Sequence, residues 1–384
     1  MSVSNIPEPV KLLLWGKAAG RCQYEGCGKP LWRDDLTKAE FNAAYIAHII
    51  ADKPTGPRGD AVLSERLGSD LSNLMLLCDE HHRLIDKVDV AGHPVDRLRA
   101  MKVKQETRME LLTGLPENRK SHVLLYGANI GEQSARVSWA KAAHAMTPEW
   151  YPAEPRAIEL SIGNSAVEDH DNDFWGLERR NLRLQFQRGV KPRLSGAGDI
   201  GHLSIFAFAP IPLLVELGRL LSDIPAAEVY QLHREPPDWR WQETPNGFAF
   251  SIEQPEERKA TVALNLSLSA TIDNSRIMAV LPQENLSIWR MTVPEPSNDF
   301  MKGKDQLRLF RQQFRLLLDR IKGHHGQDVV LHVFPAVPVS VAVEIGRVWM
   351  PKADLPLCIY DQNRKLNGFT KALEFPEDRR SERC

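Results

Sequence analysis

Metal-binding side chains are concentrated in one short stretch of the chain, residues 73–87. Cys78 and His81 are three residues apart, so a turn or the start of a helix can direct both side chains to one ion. His82 and Asp86 are four residues apart, which places them on one face of a following helix. The stretch therefore offers ligands to two different metal centres.

Two further cysteines, Cys22 and Cys27, flank a glycine-containing turn with the pattern of a zinc knuckle. With Cys78 and His81 they make a Cys₃His set, and four protein ligands are typical of a closed, structural zinc site. The alternative is that the thiols are buried and the histidines lie on the surface. Because the four residues occur in two compact pairs, we predict that they bind one structural zinc ion.

Between the two pairs lies an apolar, β-prone run, residues 44–50, that is interrupted only by His48. A Pro/Gly-rich loop follows at residues 53–60. A single His in such a run is more often a core residue than a catalyst. The order along the chain changes that weighting, because a Cys pair, a strand His, Asn73 and a Cys–His–His segment follow one another.

This order resembles the ββα-metal nuclease fold of the HNH family. The resemblance implies that His48 is the general base and that Asn73 fixes the His-bearing loop. It also implies that His82 binds a catalytic divalent ion such as Mg²⁺, with Asp86 as a further candidate ligand. A neutral imidazole can take a proton from water near neutral pH, and a divalent ion stabilises charge on the scissile phosphate.

One position departs from the family pattern. The residue before the strand His is often acidic or a second His, and here it is Ala47. The catalytic ion must then take its other ligands from water, phosphate, Asp86 or His48 itself. We still predict nuclease activity.

Length and composition predict a multidomain, soluble globular protein. The chain has 384 residues, 42% of them hydrophobic and 26% charged, which indicates two or three domains. The amino terminus has no signal-peptide pattern, and the most apolar stretch, residues 203–217, is broken by two prolines and too short to span a bilayer. Three of the five cysteines belong to the zinc set, so no disulfide framework is expected. We expect no membrane partner and a location in the reducing cytoplasm of a bacterium.

The net charge is unusual for a DNA-binding protein. The whole chain carries −1, and residues 1–117 contain 16 Lys and Arg against 17 Asp and Glu. Proteins that bind DNA constitutively usually have a basic excess, because phosphate neutralisation supplies most of the non-specific affinity. Either a local patch such as Lys53, Arg58 and Arg83 contacts DNA, or several copies of the chain act together. The second alternative predicts a nuclease that is inactive as a single chain.

A domain boundary is predicted where Gly114 and Pro116 are followed by charged residues, giving domains at 1–117 and 118–384. In the second domain, an apolar strand, a Pro-containing loop, a helix ending in Gly–Arg, Asp–x–Pro and Tyr–x₃–Arg occur in that order twice. The first copy starts near residue 203 and the second near residue 329. The pattern predicts an internal duplication of a Rossmann-like β–α–β unit, and the fold class is α/β overall.

The duplication predicts a site for a small anionic ligand of near two-fold symmetry. Ligands of open parallel sheets bind beyond the carboxyl ends of the strands, where both Pro-containing loops would start helices whose free N–H groups suit a phosphate. Arginines could pair with phosphates and aromatic rings could stack on bases, although core packing is the alternative for each ring. The candidate residues are Pro212, Arg234, Trp239, Trp241, Pro338, Tyr360 and Arg364.

Residues 120–375 resemble the SAVED domain, a fused pair of CARF-like units that senses cyclic oligonucleotides. Three stretches carry the resemblance: residues 209–223, residues 233–241 and residues 334–361. With the first domain, the chain resembles the HNH–SAVED effector nucleases of bacterial CBASS antiphage immunity. The resemblance implies that a cyclic di- or oligonucleotide made on infection binds SAVED, assembles the chains into a homo-oligomer and switches on degradation of double-stranded DNA.

Two other functions fit the same residues. The chain could be a nucleotide-binding module whose nuclease half is inactive, as the alanine at position 47 would allow. It could also be a restriction-type HNH nuclease whose carboxyl-terminal half binds modified DNA.

Overall fold

A computed structural model of the chain divides it into two compact units, residues 1–116 and 117–384. The boundary lies one residue from the predicted one. The structure describes residues 5–34, 36–129, 137–160, 171, 173–194, 200–223, 225–363, 365 and 368–376.

The first unit is built around two short antiparallel strands and the helix that follows them. His48 at the end of the first strand lies opposite Leu74 at the start of the second, and Tyr45 lies opposite Leu77. The elements are α1 (Glu8–Lys17), β1 (Tyr45–His48), α2 (Leu63–Arg66), β2 (Leu74–Leu77), α3 (Asp79–Arg83) and α4 (Val95–Thr113). All four side chains of β2 are buried, so the strand forms the centre of this unit's core.

The sequence around α3 explains why a helix begins one residue after β2. Cys78 has an extended backbone, and the acidic residues Asp79 and Glu80 occupy the first turn of α3. Their negative charges stabilise the helix there, because they interact with the positive end of its dipole. A π-helical turn, Leu84–Val88, continues directly from α3. Cys78, His81, His82 and Asp86 are therefore carried on one continuous stretch after the buried strand.

The second unit contains two sheets and seven helices in its described residues. Its helices are α5 (Trp139–Met146), α6 (Phe174–Gly189), α7 (Lys191–Leu194), α8 (Ile211–Leu221), α9 (Asn274–Met278), α10 (Lys304–His325) and α11 (Val339–Val348). Its strands are β3 (Lys120–Gly127), β4 (Tyr151–Pro152), β5 (Ile158–Glu159), β6 (Leu203–Phe208), β7 (Ala227–Val229), β8 (Ser251–Glu253), β9 (Thr261–Ser267), β10 (Leu286–Thr292), β11 (Leu331–Ala336), β12 (Leu357–Asn363) and β13 (Gly368–Phe375).

The two sheets differ in strand direction. One has the order β4–β3–β6–β7, with β5 also pairing with β3, and all of its pairings are parallel. The other has the order β13–β12–β11–β9–β10–β8, with parallel inner pairings and an antiparallel strand at each edge. Helices α6, α8, α10 and α11 contribute to one hydrophobic core shared by both sheets.

The predicted duplication is confirmed. The unit β6–α8–β7 is a parallel β–α–β unit with Leu203 opposite Ala227. The unit β11–α11–β12 repeats it, with Leu331 opposite Leu357. Helices α8 and α11 pack directly against each other, which joins the two copies at the centre of the domain.

No helix in the described part of the chain combines the length and the apolar character needed to cross a membrane.

Candidate functional site

The four predicted zinc ligands are brought together in the first unit. The ligand atoms of Cys22, Cys27, Cys78 and His81 all lie within 4.8 Å of one another. His81 Nδ1 is 3.1 Å from Cys78 Sγ and 3.7 Å from Cys22 Sγ. Donors about 2.0–2.3 Å from one tetrahedral ion are about 3.3–3.8 Å apart, so the two distances at His81 are close to this range, and the 4.8 Å bound on the other pairs is somewhat wider. The cluster therefore has the donor types and the spacing to hold one metal ion.

The surroundings of this cluster orient its histidine. The ring of Tyr24 stacks on His81 at a centroid distance of 4.0 Å, and the Tyr24 hydroxyl lies 3.0 Å from His93 Nε2. Burial raises the pKa of the Cys22 and Cys78 thiols and lowers the pKa of His81. Burial alone thus favours neutral thiols, whereas a bound cation would deprotonate them.

Gln23, which lies next to the first ligand, is a structural residue that sequence reasoning missed. It is fully buried; its backbone N–H donates to the Leu76 carbonyl (2.9 Å), and its Oε1 accepts from the Leu76 N–H (2.8 Å). Its Nε2 donates to Gln105 and Glu106 of α4, both at 3.1 Å. Gln23 therefore fastens the Cys22 turn to β2 and to α4. A glutamine between cysteines carries no pattern that could have predicted this.

His48, the predicted general base, is held in one tautomer. It is 9% exposed, and its Nε2 lies 2.9 Å from the Gly68 carbonyl oxygen. A carbonyl can only accept, so Nε2 carries the proton and donates to it. In the neutral ring the lone pair is then on Nδ1. His48 can accept a proton at Nδ1 without breaking its bond to Gly68.

Asn73 is placed to hold the loop that positions His48. It is 1% exposed, and its amide oxygen accepts from the Ile50 N–H (2.9 Å). Its amide nitrogen donates to the carbonyls of Ile50 (2.9 Å) and Leu67 (3.2 Å). Ile50 follows the His48 strand and Leu67 precedes Gly68, so one side chain fixes both flanks of the His48 ring.

His82 and Asp86 lie side by side on the segment after β2. His82 Nε2 is 3.4 Å from Asp86 Oδ2, and the His82 ring stacks on Tyr45 of β1 at 4.9 Å. The other carboxylate oxygen, Oδ1, accepts a 2.6 Å bond from Arg58. His82 and Asp86 are partly exposed, so both can be reached from solvent.

The predicted DNA-contacting patch is only partly available. The Arg58 side chain is 6% exposed and is used inside the protein. Arg83 Nε lies 3.0 Å from Asp79 Oδ2, but its side chain is 63% exposed, and Lys53 is exposed as well. In the alternative of a local DNA-binding patch, Arg58 is the member that is not available, because its guanidinium is buried against backbone carbonyls and Asp86.

In the second unit, the duplicated aromatic residues are core residues. Phe206 stacks on Tyr230 at 4.3 Å and 16°, and Phe334 stacks on Tyr360 at 4.4 Å and 16°. Trp239 packs edge-on against Phe206. Trp239 is 3% exposed and Tyr360 is 5% exposed, so neither ring offers a free face for a base. For these two residues the alternative interpretation, core packing, describes the structure.

The starts of α8 and α11, which were predicted to bind phosphate, are also less accessible than expected. Pro212 and Pro338 are both buried. At the start of α11, the Ser340 N–H and hydroxyl both donate to Gln231 Oε1, at 3.2 Å and 2.7 Å. The expectation of free N–H groups is therefore wrong at Ser340, because a side chain from the other copy of the repeat caps this helix.

Arg234 and Trp241 lie on the loop after β7 and remain accessible. The Arg234 side chain is exposed, while its backbone N–H donates to Asp299 at 3.2 Å. Trp241 is half-buried and meets His233 edge-on at 6.0 Å. His233 is 1% exposed and lies 3.8 Å from Asp299. Arg364 lies outside the described residues.

A comparison with protein-family models matches residues 185–375 to the SAVED family, described as the SMODS-associated and fused to various effectors sensor domain. The carboxyl-terminal part of the chain is therefore a SAVED domain. A comparison with curated proteins found no match.

Among solved structures, the chain is similar to Cap4 SAVED/CARF-domain receptors. The Acinetobacter baumannii receptor with the cyclic trinucleotide 2′3′3′-cAAA is 12% identical, with a TM-score of 0.43, and the match covers 73% of this chain and 55% of that one. A second structure of the Acinetobacter baumannii Cap4 receptor is 13% identical, with a TM-score of 0.41 and coverages of 82% and 65%. The Moraxella osloensis receptor is 13% identical, with a TM-score of 0.38 and coverages of 73% and 58%. The match spans less than two thirds of the length of each of these receptors.

Proposed function

Because the carboxyl-terminal part is a SAVED domain, we propose that the chain is a metal-dependent DNA endonuclease of bacterial antiphage defence that a cyclic oligonucleotide activates. The family description, a sensor domain fused to various effectors, supports a division of labour between a sensor and an effector. In this proposal the first unit is the effector. Its predicted class is the HNH nuclease, and its substrate is double-stranded DNA.

The observation that carries the nuclease proposal is the arrangement of His48 with Asn73. Asn73 holds both flanks of the His48 ring, and the Gly68 carbonyl keeps the proton on Nε2. A core histidine needs no such control of tautomer, whereas a general base does. His48 is largely buried, at 9% exposure, so its ring is held in place by the protein around it.

In this proposal, residues of the first unit take part in each step of phosphodiester hydrolysis. His48 Nδ1 takes a proton from water, the water oxygen attacks phosphorus, and the bond from phosphorus to the leaving oxygen breaks. His82 and Asp86 would hold a divalent ion such as Mg²⁺, which stabilises charge on the phosphate when bound. The Cys22–Cys27–Cys78–His81 cluster would hold zinc with a structural role, since four protein ligands leave no open position.

Activation in this proposal works through association. The nuclease unit has no basic excess, so a single copy should bind DNA weakly. A cyclic oligonucleotide that assembles several chains would place several weak DNA-binding surfaces on one duplex, and the affinities of linked surfaces multiply. The carboxyl-terminal unit supplies two copies of a β–α–β repeat for the activator.

The proposal is tested with a cleavage assay on plasmid DNA. The full chain is incubated with Mg²⁺ and a panel of cyclic di- and trinucleotides, including cyclic triadenylates, and its mass is followed by light scattering. We expect one activator to raise both the mass and the cleavage rate. If the cleavage rate does not change with any cyclic nucleotide and depends on DNA methylation, the chain is instead a restriction-type nuclease.

A second candidate function, a nucleotide-binding module without nuclease activity, is favoured by Ala47. This residue is 1% exposed and lies opposite Met75, so position 47 supplies no ligand to a catalytic ion. If a cyclic nucleotide raises the thermal stability and the mass of the chain while no divalent ion supports cleavage, this second function is the correct one.

A further inference from the structure

Arg58 is a buried arginine with an unusual backbone and four partners. It lies in the loop after β1 with φ +59°, a conformation that is uncommon outside glycine. Its guanidinium donates to the carbonyls of Ile49 (2.7 Å), Ile85 (2.7 Å) and His48 (3.3 Å). It also donates to Asp86 Oδ1 at 2.6 Å.

These partners belong to the two segments that carry the candidate site. His48 and Ile49 are at the end of β1, while Ile85 and Asp86 are in the turn that continues from the His82 helix. One planar guanidinium, with five N–H donors in a fixed fork, joins both segments. A lysine ammonium carries the same charge but has no such fork.

The bond to Arg58 also determines which Asp86 oxygen can bind an ion. Oδ1 is taken by Arg58, and Oδ2 lies 3.4 Å from His82 Nε2. Two donors that are each about 2.1 Å from one ion are about 3.0–3.4 Å apart, for octahedral to tetrahedral angles. His82 Nε2 and Asp86 Oδ2 are therefore spaced as two ligands of one cation.

We propose that Arg58 is a positioning residue of the nuclease site. It presents Asp86 Oδ2 beside His82 Nε2, and it holds this pair at a set distance from the strand that carries His48. Carboxylates that bind metal ions are commonly oriented by a hydrogen bond to their other oxygen, and Arg58 supplies that bond here. The inference rests on the proposed nuclease function and adds to it a residue that acts through Asp86.

A purely structural arginine would give a different result in a metal-binding experiment. If Arg58 only stabilised the fold, its loss would lower the melting temperature but leave the affinity for a second metal ion unchanged. Removal of a positive charge next to Asp86 would by electrostatics alone strengthen cation binding. Weaker metal binding in a folded variant is therefore a result that only the positioning role explains.

The test uses Arg58→Met and Arg58→Lys in the full chain, with Arg66→Met as a matched control from the exposed end of α2 in the same unit. Each protein is loaded with zinc, and binding of Mn²⁺ is measured by electron paramagnetic resonance together with plasmid cleavage. We expect Arg58→Met to keep its zinc and to bind Mn²⁺ about 10–100-fold more weakly, with a comparable loss of cleavage. Arg58→Lys should fall between it and the wild type, and Arg66→Met should match the wild type.

Three results would overturn the proposal. Wild-type Mn²⁺ affinity and cleavage in Arg58→Met would overturn the role of Arg58 alone. If Arg58→Met does not fold and loses its zinc, the test uses Arg58→Lys instead. A zinc-loaded lysine variant with wild-type Mn²⁺ affinity would then overturn the role of Arg58. A wild-type chain that neither binds Mn²⁺ beyond its zinc nor cleaves DNA would overturn the nuclease function as well.

Discussion

Gly218 of α8 and Gly346 of α11 occupy equivalent positions where the two helices cross. A Cβ atom on Gly218 would lie 1.9 Å from the Val343 carbonyl oxygen, and a Cβ atom on Gly346 would lie 1.9 Å from the Val215 carbonyl oxygen. Gly218 thus faces Val343, three positions before Gly346, and Gly346 faces Val215, three positions before Gly218. The two copies of the repeat meet around a local two-fold relationship, and only glycine permits this close approach at both positions.

We predict that Gly218→Ala destabilises the second unit. The added methyl group meets backbone rather than a flexible side chain, so the helices must separate, at a cost of about 1–3 kcal/mol or more. Gly323→Ala is the control, because Gly323 is an exposed residue of α10 with nothing within 4 Å of an added Cβ. It should raise stability by about 0.5–1 kcal/mol. Scanning calorimetry measures both, and equal effects of the two variants would contradict the close crossing.

The Cys₃His cluster predicts one zinc ion per chain. Cys27→Ala removes one ligand, so the chain should lose its zinc, and the first unit should become poorly folded because metal binding contributes to its folding free energy. Cys358→Ala is the matched control, since Cys358 is a buried free thiol in β12 of the second unit. Elemental analysis should find zinc in the control and in the wild type. If elemental analysis finds no zinc in the purified wild-type protein, the prediction is refuted.

If His48 is the general base, its removal should lower the rate of DNA cleavage without affecting other properties of the chain. His48→Ala should reduce cleavage by about 10²–10⁴-fold, the usual contribution of a general base, while zinc content and binding of the cyclic nucleotide stay at wild-type values. Imidazole added to the variant should restore part of the rate, because it can occupy the space of the lost ring and accept the proton. Activity within tenfold of the wild type would mean that another group is the base.

The proposed binding of a cyclic oligonucleotide to the second unit leads to a prediction for the exposed Arg234. A charge-assisted bond to a phosphate contributes about 1.5–3 kcal/mol, so Arg234→Ala should weaken binding by about 10–150-fold. Arg240→Ala, an exposed arginine on the same loop, is the matched control. Calorimetric titration with the activating nucleotide distinguishes them. An equal loss in both variants would point to general electrostatic attraction rather than to a contact made by Arg234.

The half-buried His202 of the second unit predicts acid sensitivity. Burial, with a further contribution from the positive charge of Arg347, lowers the pKa of His202 from about 6.5 to about 4. The unfolded chain then binds a proton that the folded chain does not, so this contribution to stability is complete above pH 6.5 and is lost as the pH falls towards 4. The slope is up to about 1.4 kcal/mol per pH unit.

His202→Gln tests this pH dependence, because glutamine can keep a bond to the Ser121 hydroxyl, which lies 2.8 Å from His202 Nδ1. The melting temperature of the variant should fall less steeply between pH 6.5 and 4 than that of the wild type. An unchanged slope would assign the acid sensitivity to other groups.

Local spacing was enough to predict much of this protein. Cys78 with His81, and His82 with Asp86, are close in sequence, so their separation in space follows from the geometry of one turn or one helix. The duplicated order of strand, loop and helix was likewise visible, because a repeat preserves its pattern of apolar residues, Pro and Gly. These features depend on contacts within a few residues.

The roles of Arg58, Tyr360 and Gln231 depended on residues far away in the chain. Arg58 bonds to Asp86 across 28 positions, and Gln231 caps the helix of Ser340 across 109 positions. A spacing rule cannot state which side chain reaches a distant carbonyl, or which ring face is already covered, because both are decided when the strands and helices pack. Residue types and local order therefore determined the two candidate centres and the repeat. Only the tertiary structure decided that Tyr360 belongs to the core and that Arg58 bonds to Asp86 on the segment that carries His82.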